Sequence, residues 1–233
     1  MKRVFTVLVI TVLNLSCSNK NPVSYEYPPF SRDSEEWKAM SGIERTQSLQ
    51  IPENVLAAML TEELVLAYMY NTGLLTAYAS LQEGLERHAE NFNGLAELLR
   101  REDCFHAALE IYKNIEPKEY EGSVLDFIFL EILIAQEPLL KKLNPSEVQD
   151  LFSEVLKKYQ SKVEDPAYGF YSLEATALPL GRIMRLKRND YEIFETVMQT
   201  PNIEYYLNYA TSQSNIVEIL NNIIMAAVEF VNL

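Results

Sequence analysis

The residues whose types could support catalysis are a cysteine and a histidine two positions apart, Cys104 and His106. A thiol beside an imidazole can form a nucleophile–base pair when the two side chains come within hydrogen-bond reach. On a helix, however, residues two positions apart point about 200° apart around the axis. We therefore expect Cys104 to be a small buried thiol. Asp103 is expected to cap the helix that follows it, and no catalytic residue is predicted here.

Acidic side chains provide a second possible chemistry. Glu83, Glu86 and Glu90 are spaced about one helical turn apart, and His88 is close in sequence. Such a group could bind a divalent cation or supply the acid pair of a glycosidase. The chain has only two histidines, and HExxH, CxxC, P-loop and GxGxxG motifs do not occur. A solvated acidic face is the simpler interpretation, so neither a metal nor a cofactor is predicted.

Aromatic and cationic residues suggest a partner surface instead. Tyr168, Phe170 and Tyr171 follow a predicted loop, and Arg182 and Arg185 belong to a basic cluster in an acidic chain. Tyrosine is common in recognition surfaces because it combines apolar area with a polar tip. The alternative is that the aromatic rings pack between helices and that the cations complement a helix C-terminus before residue 189.

The N-terminus predicts export and acylation. A positively charged start is followed by a 12-residue, mostly apolar run (4–15), then by the small residue Ser16 and by Cys17. A spanning helix needs about 20 apolar residues, whereas a short apolar run closed by a small residue is typical of a cleaved signal. Residues 1–16 are therefore expected to be a lipoprotein signal peptide, with acyl chains such as palmitate on Cys17. An ordinary signal peptide cut nearby is the alternative.

Residues 17–34 are expected to form the acylated terminus and a flexible, solvated tether. Their prolines favour extended backbone, and they show no helical or alternating period. Ser18 follows the cysteine in place of an aspartate or an acidic run, which favours the outer membrane with the domain facing the periplasm. With Cys17 acylated, Cys104 is the one cysteine left, so no intramolecular disulfide is expected.

Charge narrows the range of partners. The chain carries 20 basic and 33 acidic residues, a net charge of −13. Without the signal peptide it has 18 basic residues against 33 acidic ones, or about −15. Binding to nucleic acid depends on clustered lysine and arginine that neutralise phosphates. A nucleic-acid partner is therefore not expected.

Residues 35–233 read as a single all-α domain of about nine or ten short helices. Thr61 is predicted to cap one helix, the Asn-Pro-Ser-Glu sequence at 144–147 to start another, and Pro179 to interrupt or kink a third. Segments 124–135 and 216–231 are apolar nearly all round, which predicts interior helices. No sheet is predicted. The helices are expected to form an irregular bundle or a solenoid-like curved array.

Part of this domain resembles a known group of proteins. The passages 51–56, 61–65, 82–84, 92–95, 97–101 and 108–113, with Pro117, carry the resemblance. They are similar to segments of a group of uncharacterised exported proteins and lipoproteins of Bacteroidetes, over residues 41–117. The resemblance implies a bacterial, exported, helical protein. It implies no activity and no catalytic residues.

Two functions of different kinds remain. The first is a non-catalytic, lipid-anchored protein of the cell envelope that binds a peptide or protein partner through a helical surface. The alternative is a hydrolase or other enzyme that uses carboxylates in a cleft. A deep cleft lined by carboxylates with raised pKa values would favour the enzyme, and a shallow, tyrosine-lined surface would favour binding.

Overall fold

The computed structural model of the chain describes residues 8–11, 24–27, 34–71, 80–119, 123–211 and 213–232. Two short strands, β1 (Leu8–Thr11) and β2 (Ser24–Tyr27), pair antiparallel, with Leu8 opposite Tyr27. The expectation that the chain contains no sheet is therefore wrong at this one ladder. Strands of four residues are too short to show a clear alternation of apolar and polar residues, so the pattern did not reveal them.

All other regular elements in the described residues are helical, which confirms the all-α class. The first seven helices are α1 (Glu35–Ala39), α2 (Gly42–Ser48), α3 (Glu53–Leu56), α4 (Thr61–Tyr70), α5 (Leu81–Asn91), α6 (Asn93–Leu98) and α7 (Cys104–Asn114). A 3₁₀ turn at Pro117–Glu119 follows α7.

The second half contains α8 (Val124–Ile134), α9 (Glu137–Leu140), α10 (Pro145–Val163), α11 (Phe170–Lys187), α12 (Glu192–Met198), α13 (Ile203–Tyr209) and α14 (Ile216–Val231). The described part of the chain thus holds fourteen α-helices rather than nine or ten. The additional ones are helices of one or two turns, such as α3 and α9. Helices this short do not span enough residues to show a periodic apolar stripe.

The start of α10 confirms its sequence signal. The Asn144 side chain accepts hydrogen bonds from the backbone N–H groups of Ser146 and Glu147, at 2.9 and 3.1 Å. In return, the Glu147 carboxylate accepts one from the Asn144 N–H at 2.8 Å. The apolar stripe of this helix is buried, as its spacing predicts, at Val148, Leu151, Phe152 and Val155. Local capping chemistry and the helical period were sufficient to predict this element.

One predicted helix cap is wrong, and one predicted interruption does not occur. Thr61 is the first residue of α4 rather than its cap, since Leu60 occupies the cap position and the Thr61 hydroxyl donates to the Asp103 carboxylate. Asp103 does precede α7 as its cap residue, but its side chain makes no capping bond. Helix α11 runs without a break through Pro179, which is buried inside it, so of the two expectations at this residue, an interruption or a kink, the interruption is wrong. Tertiary partners decided these positions, and local sequence signals do not report such partners.

Helices α8 and α11 occupy the centre of the domain and pack on each other. Around them, α4, α5 and α7 pack on α8, whereas α10, α12 and α14 pack on α11. Helix α13 also contacts α5, although the two are more than 100 residues apart in sequence. Because units of a solenoid contact mainly their neighbours in sequence, this pattern corresponds to the irregular bundle.

The prediction of an interior position is confirmed for α8 and wrong for one face of α14. Residues 127–134 of α8 are all buried. On α14, by contrast, Val217, Met225 and Val228 are exposed. An all-apolar composition does not indicate which side of a helix meets a neighbour, so the outward face of α14 could not be predicted.

Candidate functional site

An open cleft of about 550 Å³ lies where α5, α9, α11 and α13 meet. Its lining includes Gln82 and Leu85 from α5, Glu137 from α9, Arg182 from α11 and Leu207 from α13. These residues come from widely separated parts of the chain. Only the tertiary packing of the helices brings them together.

Arg182 is the buried cation at the base of the cleft. Its guanidinium donates to the backbone oxygens of Leu207 and Ala135 and to the side-chain oxygen of Gln82, at 2.8, 3.0 and 2.9 Å. Ala135 ends α8 and Leu207 lies in the last turn of α13, where carbonyl groups lack helical partners. Burial lowers the pKa of Arg182 to about 10, so it remains a cation at neutral pH. Arg182 therefore complements the C-termini of two other helices, rather than that of its own helix before residue 189 as predicted.

Arg185, one turn further along α11, is paired with acidic and amide side chains. It donates to Glu137 through two N–H groups, one of them at 3.0 Å, and to Glu204 and Asn208 at 2.9 and 2.8 Å. Burial raises the pKa of Glu137. The hydrogen bond from Arg185 and its positive charge together lower this pKa by more than burial raises it, so the pKa ends below its ordinary value. The charges at this end of the cleft therefore compensate one another.

The remaining lining is apolar or amide, apart from the Glu86 carboxylate, which accepts a hydrogen bond from Gln82 at 2.9 Å. Leu85, Ala89, Leu99, Pro138 and Leu207 supply the apolar part. The side-chain amides of Gln82 and Gln136 exchange hydrogen bonds at 3.3 and 3.2 Å. An open surface with apolar walls and a few fixed polar groups suits the binding of a ligand better than acid–base chemistry.

An exposed pair of tyrosines lies on α13, the helix that provides Leu207 to the cleft. The rings of Tyr205 and Tyr209 are 4.7 Å apart, and the two residues are 50% and 48% exposed. Tyr206, between them in sequence, is buried and donates a hydrogen bond to the backbone oxygen of Glu174 at 2.5 Å. The helical rotation of 100° per residue separates the two kinds of tyrosine.

The structure does not bring the predicted partner-surface residues together. Tyr168 and Arg182 are buried, whereas Phe170 and Tyr171 are about half exposed at the start of α11. Arg185 lies about 20 Å further along the same helix at 1.5 Å per residue. The two arginines line the cleft, and the exposed aromatic rings lie elsewhere. The partner role itself remains a prediction.

Cys104 and His106 face in different directions, as their spacing predicts. Cys104 is fully buried, and burial raises the pKa of its thiol to about 12, so the thiolate does not form at neutral pH. The His106 side chain is exposed, and its Nε2 lies 2.8 Å from a carboxylate oxygen of Glu147. This contact links the first turns of α7 and α10.

The acidic face of α5 does not assemble a metal site. Within the ranges that the structure describes, no three His, Cys, Asp or Glu side chains lie close enough to hold a metal ion. Glu90 pairs with Arg87 at 3.0 Å, and Glu86 accepts a hydrogen bond from Gln82 at 2.9 Å. His88 is on the buried side of the helix.

A buried ion pair lies in the core, away from the cleft lining. Lys162 donates to both carboxylate oxygens of Glu131, at 2.8 and 2.9 Å, and to the Thr176 hydroxyl at 3.0 Å. The Tyr112 hydroxyl donates to Glu131 at 2.9 Å. Both charged side chains are completely buried, and burial raises the pKa of Glu131 and lowers that of Lys162. A pair enclosed in this way has no access to a substrate, so its role is structural.

Cys17 lies outside the described residues, and so does most of the predicted tether. Tyr27 is described, and there the expectation of a solvated tether is wrong because the residue is buried against the domain. Of the helices in the described ranges, none is both long and apolar enough to cross a bilayer.

Comparison with known proteins found no match: no protein-family model, no curated protein and no solved structure is similar to this chain.

Proposed function

We propose that this chain is a lipid-anchored envelope protein that binds a peptide or protein partner through its helical surface. Acyl chains on Cys17 would hold it on the outer membrane, with the helical domain facing the periplasm. The partner would occupy the cleft between α5, α9, α11 and α13 and would contact the exposed pair Tyr205 and Tyr209. The observation that carries this proposal is the open, partly apolar cleft, to which α13, the helix that carries the exposed aromatic pair, contributes Leu207 and Asn208.

The N-terminal pattern supports the anchoring. A short apolar run closed by Ser16 and Cys17 is typical of a lipoprotein signal. Two or more acyl chains hold a protein stably on a membrane, whereas a single chain does so only marginally. The resemblance to exported Bacteroidetes proteins over residues 41–117 is consistent with export and membrane anchoring.

The distribution of carboxylates supports binding rather than catalysis by an acid–base pair. A general acid at neutral pH needs a raised pKa and access to the substrate. In the cleft, Glu137 is paired with Arg185 and its pKa is lowered, and the Glu86 carboxylate accepts a hydrogen bond from Gln82. Among the described carboxyl groups, the pKa of Glu131 is raised, and this group is fully enclosed by the core. For Glu131 and Glu137, accessibility and a raised pKa therefore occur on different residues.

Photo-crosslinking in native cell envelopes tests the partner site. A photoreactive amino acid at position 205 should capture one partner, which is then identified, purified and titrated against the protein. Because aromatic anchors can contribute 2 kcal/mol or more to binding, replacing both Tyr205 and Tyr209 with alanine should weaken binding by about thirtyfold or more.

Tyr171→Ala is the matched control, because Tyr171 is also about half exposed but belongs to α11. It should leave the affinity unchanged. Equal affinity of the Tyr205→Ala/Tyr209→Ala protein and the wild type would contradict the proposed site. Mass spectrometry of the N-terminal peptide tests the anchor separately, since an unmodified Cys17 would contradict acylation.

A further inference from the structure

Tyr27 attaches the N-terminal segment to the helical domain. Only 1% of its surface is exposed, and its hydroxyl lies 3.4 Å from both the backbone oxygen of Leu49 and the side-chain nitrogen of Asn71. Its ring is 6.2 Å from the rings of Tyr70 and Phe92. We call Leu49, Tyr70, Asn71 and Phe92 the Tyr27 socket. The socket joins the C-terminal ends of α2 and α4 to the junction of α5 and α6.

The socket lies within the part of the chain that would remain after signal cleavage. All four socket residues follow Cys17 in sequence. The strand that pairs with β2, at Leu8–Thr11, precedes Cys17 and would be removed with the signal. Buried contacts of an aromatic ring and a hydroxyl are stable attachments, because exposing them returns apolar area to water. Tyr27 can therefore stay bound to the domain in the mature protein.

Attachment at Tyr27 shortens the free part of the tether. Residues 18–26 separate the acylated cysteine from Tyr27. Even when fully extended, this length of chain spans at most about 35 Å. A compact domain of about 200 residues is about 40 Å across. The tether is thus shorter than the domain, so the socket cannot reach the pole that faces away from the bilayer. A random coil of nine residues spans on average only about 17 Å, which favours positions of the socket close to the bilayer.

We propose that the Tyr27 socket biases the orientation of the domain, with the socket towards the lipid surface and α14 further from it. This inference rests on the proposed acylation of Cys17. Helix α4 packs on α8, α8 packs on α11, and α11 packs on α14. At 8–10 Å for each helix contact, α14 can lie up to about 30 Å beyond the socket side. The exposed apolar residues of α14 would then face away from the bilayer.

Energy transfer on vesicles tests the orientation. The chain from residue 17 to 233 is coupled through Cys17 to a maleimide phospholipid in neutral phosphatidylcholine vesicles. Cys104 is buried and does not compete for the maleimide. A fluorescent amino acid replaces either Gln47 on α2 or Asn221 on α14, both of which are exposed. Helix layers separate the two positions. The donor at position 47 should therefore transfer energy to a headgroup acceptor at least about twofold more efficiently than the donor at position 221 does.

Two variants connect this difference to Tyr27. Tyr27→Ala should make transfer from the two positions similar, because it removes the buried attachment. A flexible Gly/Ser insert of about 24 residues after Pro22 keeps the socket intact and should also remove the difference, because the longer tether allows rotation. Far-UV circular dichroism checks that each variant is folded.

Equal transfer from positions 47 and 221 in the unaltered chain would overturn the inference, as would a difference that survives the insertion. Since the lipid is attached chemically, this result does not depend on whether the cell acylates Cys17. Mass spectrometry of the native N-terminal peptide decides that question, so failure of the orientation and failure of the anchoring can be distinguished.

Discussion

Acidification should destabilise this fold through His88. The side chain is only 4% exposed, lies 6.0 and 5.4 Å from the rings of Tyr68 and Phe92, and has no hydrogen-bond partner for Nε2 among the described residues. Burial lowers the pKa of His88 from 6.5 to about 4. The unfolded chain therefore binds the proton more readily than the folded one. The contribution of neutral His88 to stability is complete above about pH 6.5 and is lost as the pH falls toward 4.

The size of the effect follows from the two pKa values. For a single group, linkage predicts a loss of about 2 kcal/mol at pH 5 and about 3 kcal/mol at pH 4, relative to neutral pH. Stability of a whole domain is only about 5–15 kcal/mol, so a loss of this size is readily measured. Most carboxylates remain ionised at pH 5. The change in the free energy of unfolding between neutral pH and pH 5 is therefore mainly due to histidine.

Urea unfolding followed by circular dichroism at about pH 7.5 and about pH 5 measures this loss. His88→Phe places a ring that cannot be protonated among the same aromatic residues, so it should lose about 2 kcal/mol less than the wild type over this range. His106→Gln is the comparison variant, because it removes the other histidine and retains His88, and it should keep the steep loss. If His88→Phe loses stability as steeply as the wild type, the reasoning from burial is refuted.

Three further predictions concern the core, a close helix contact and a helix cap. Lys162→Met should lower the free energy of unfolding by about 3–5 kcal/mol because it leaves Glu131 buried and unpaired. The double variant with Glu131→Leu should recover most of that loss in urea unfolding, and a double variant as unstable as the single one would contradict this account. Gly181→Ala should cost about 1–3 kcal/mol in thermal unfolding, since its Cβ would lie 2.7 and 2.9 Å from leucine and isoleucine carbons; an unchanged melting temperature would show that the contact relaxes. Asn144→Ala should cost about 1 kcal/mol and Asn144→Gly only a few tenths, so equal losses in urea unfolding would argue against the cap.

The candidate site shows where sequence-based prediction ends. The sequence singled out Arg182 and Arg185 as an unusual basic cluster, and both line the cleft. It could not reveal that their partners would be the ends of α8 and α13 and the Glu137 carboxylate. Asn208 carried no signal and Gln82 appeared only within the passage 82–84 of the resemblance, because a single amide side chain has no characteristic spacing. Their importance comes from neighbours up to 100 residues away in sequence.

Tyr27 shows the same limit at the N-terminus. Its surroundings in sequence, rich in proline and without a helical period, indicated a solvated tether. The tertiary structure instead provides a socket made from the ends of two helices and the junction of two others. No local pattern encodes such a socket, since it forms only when those helices have packed together.

The sequence by itself determined the features that depend on neighbouring residues. These are the all-α class, the start of α10, the buried stripe on that helix, the interior position of α8 and the opposite directions of Cys104 and His106. Each follows from backbone capping and from the period of 3.6 residues per turn, which act over one or two turns of chain. The number of short helices, the continuity of α11 through Pro179, the exposed face of α14 and the composition of the cleft were decided only by the tertiary structure. These features depend on which surfaces are covered by distant parts of the chain, and burial of that kind is a property of the packed molecule.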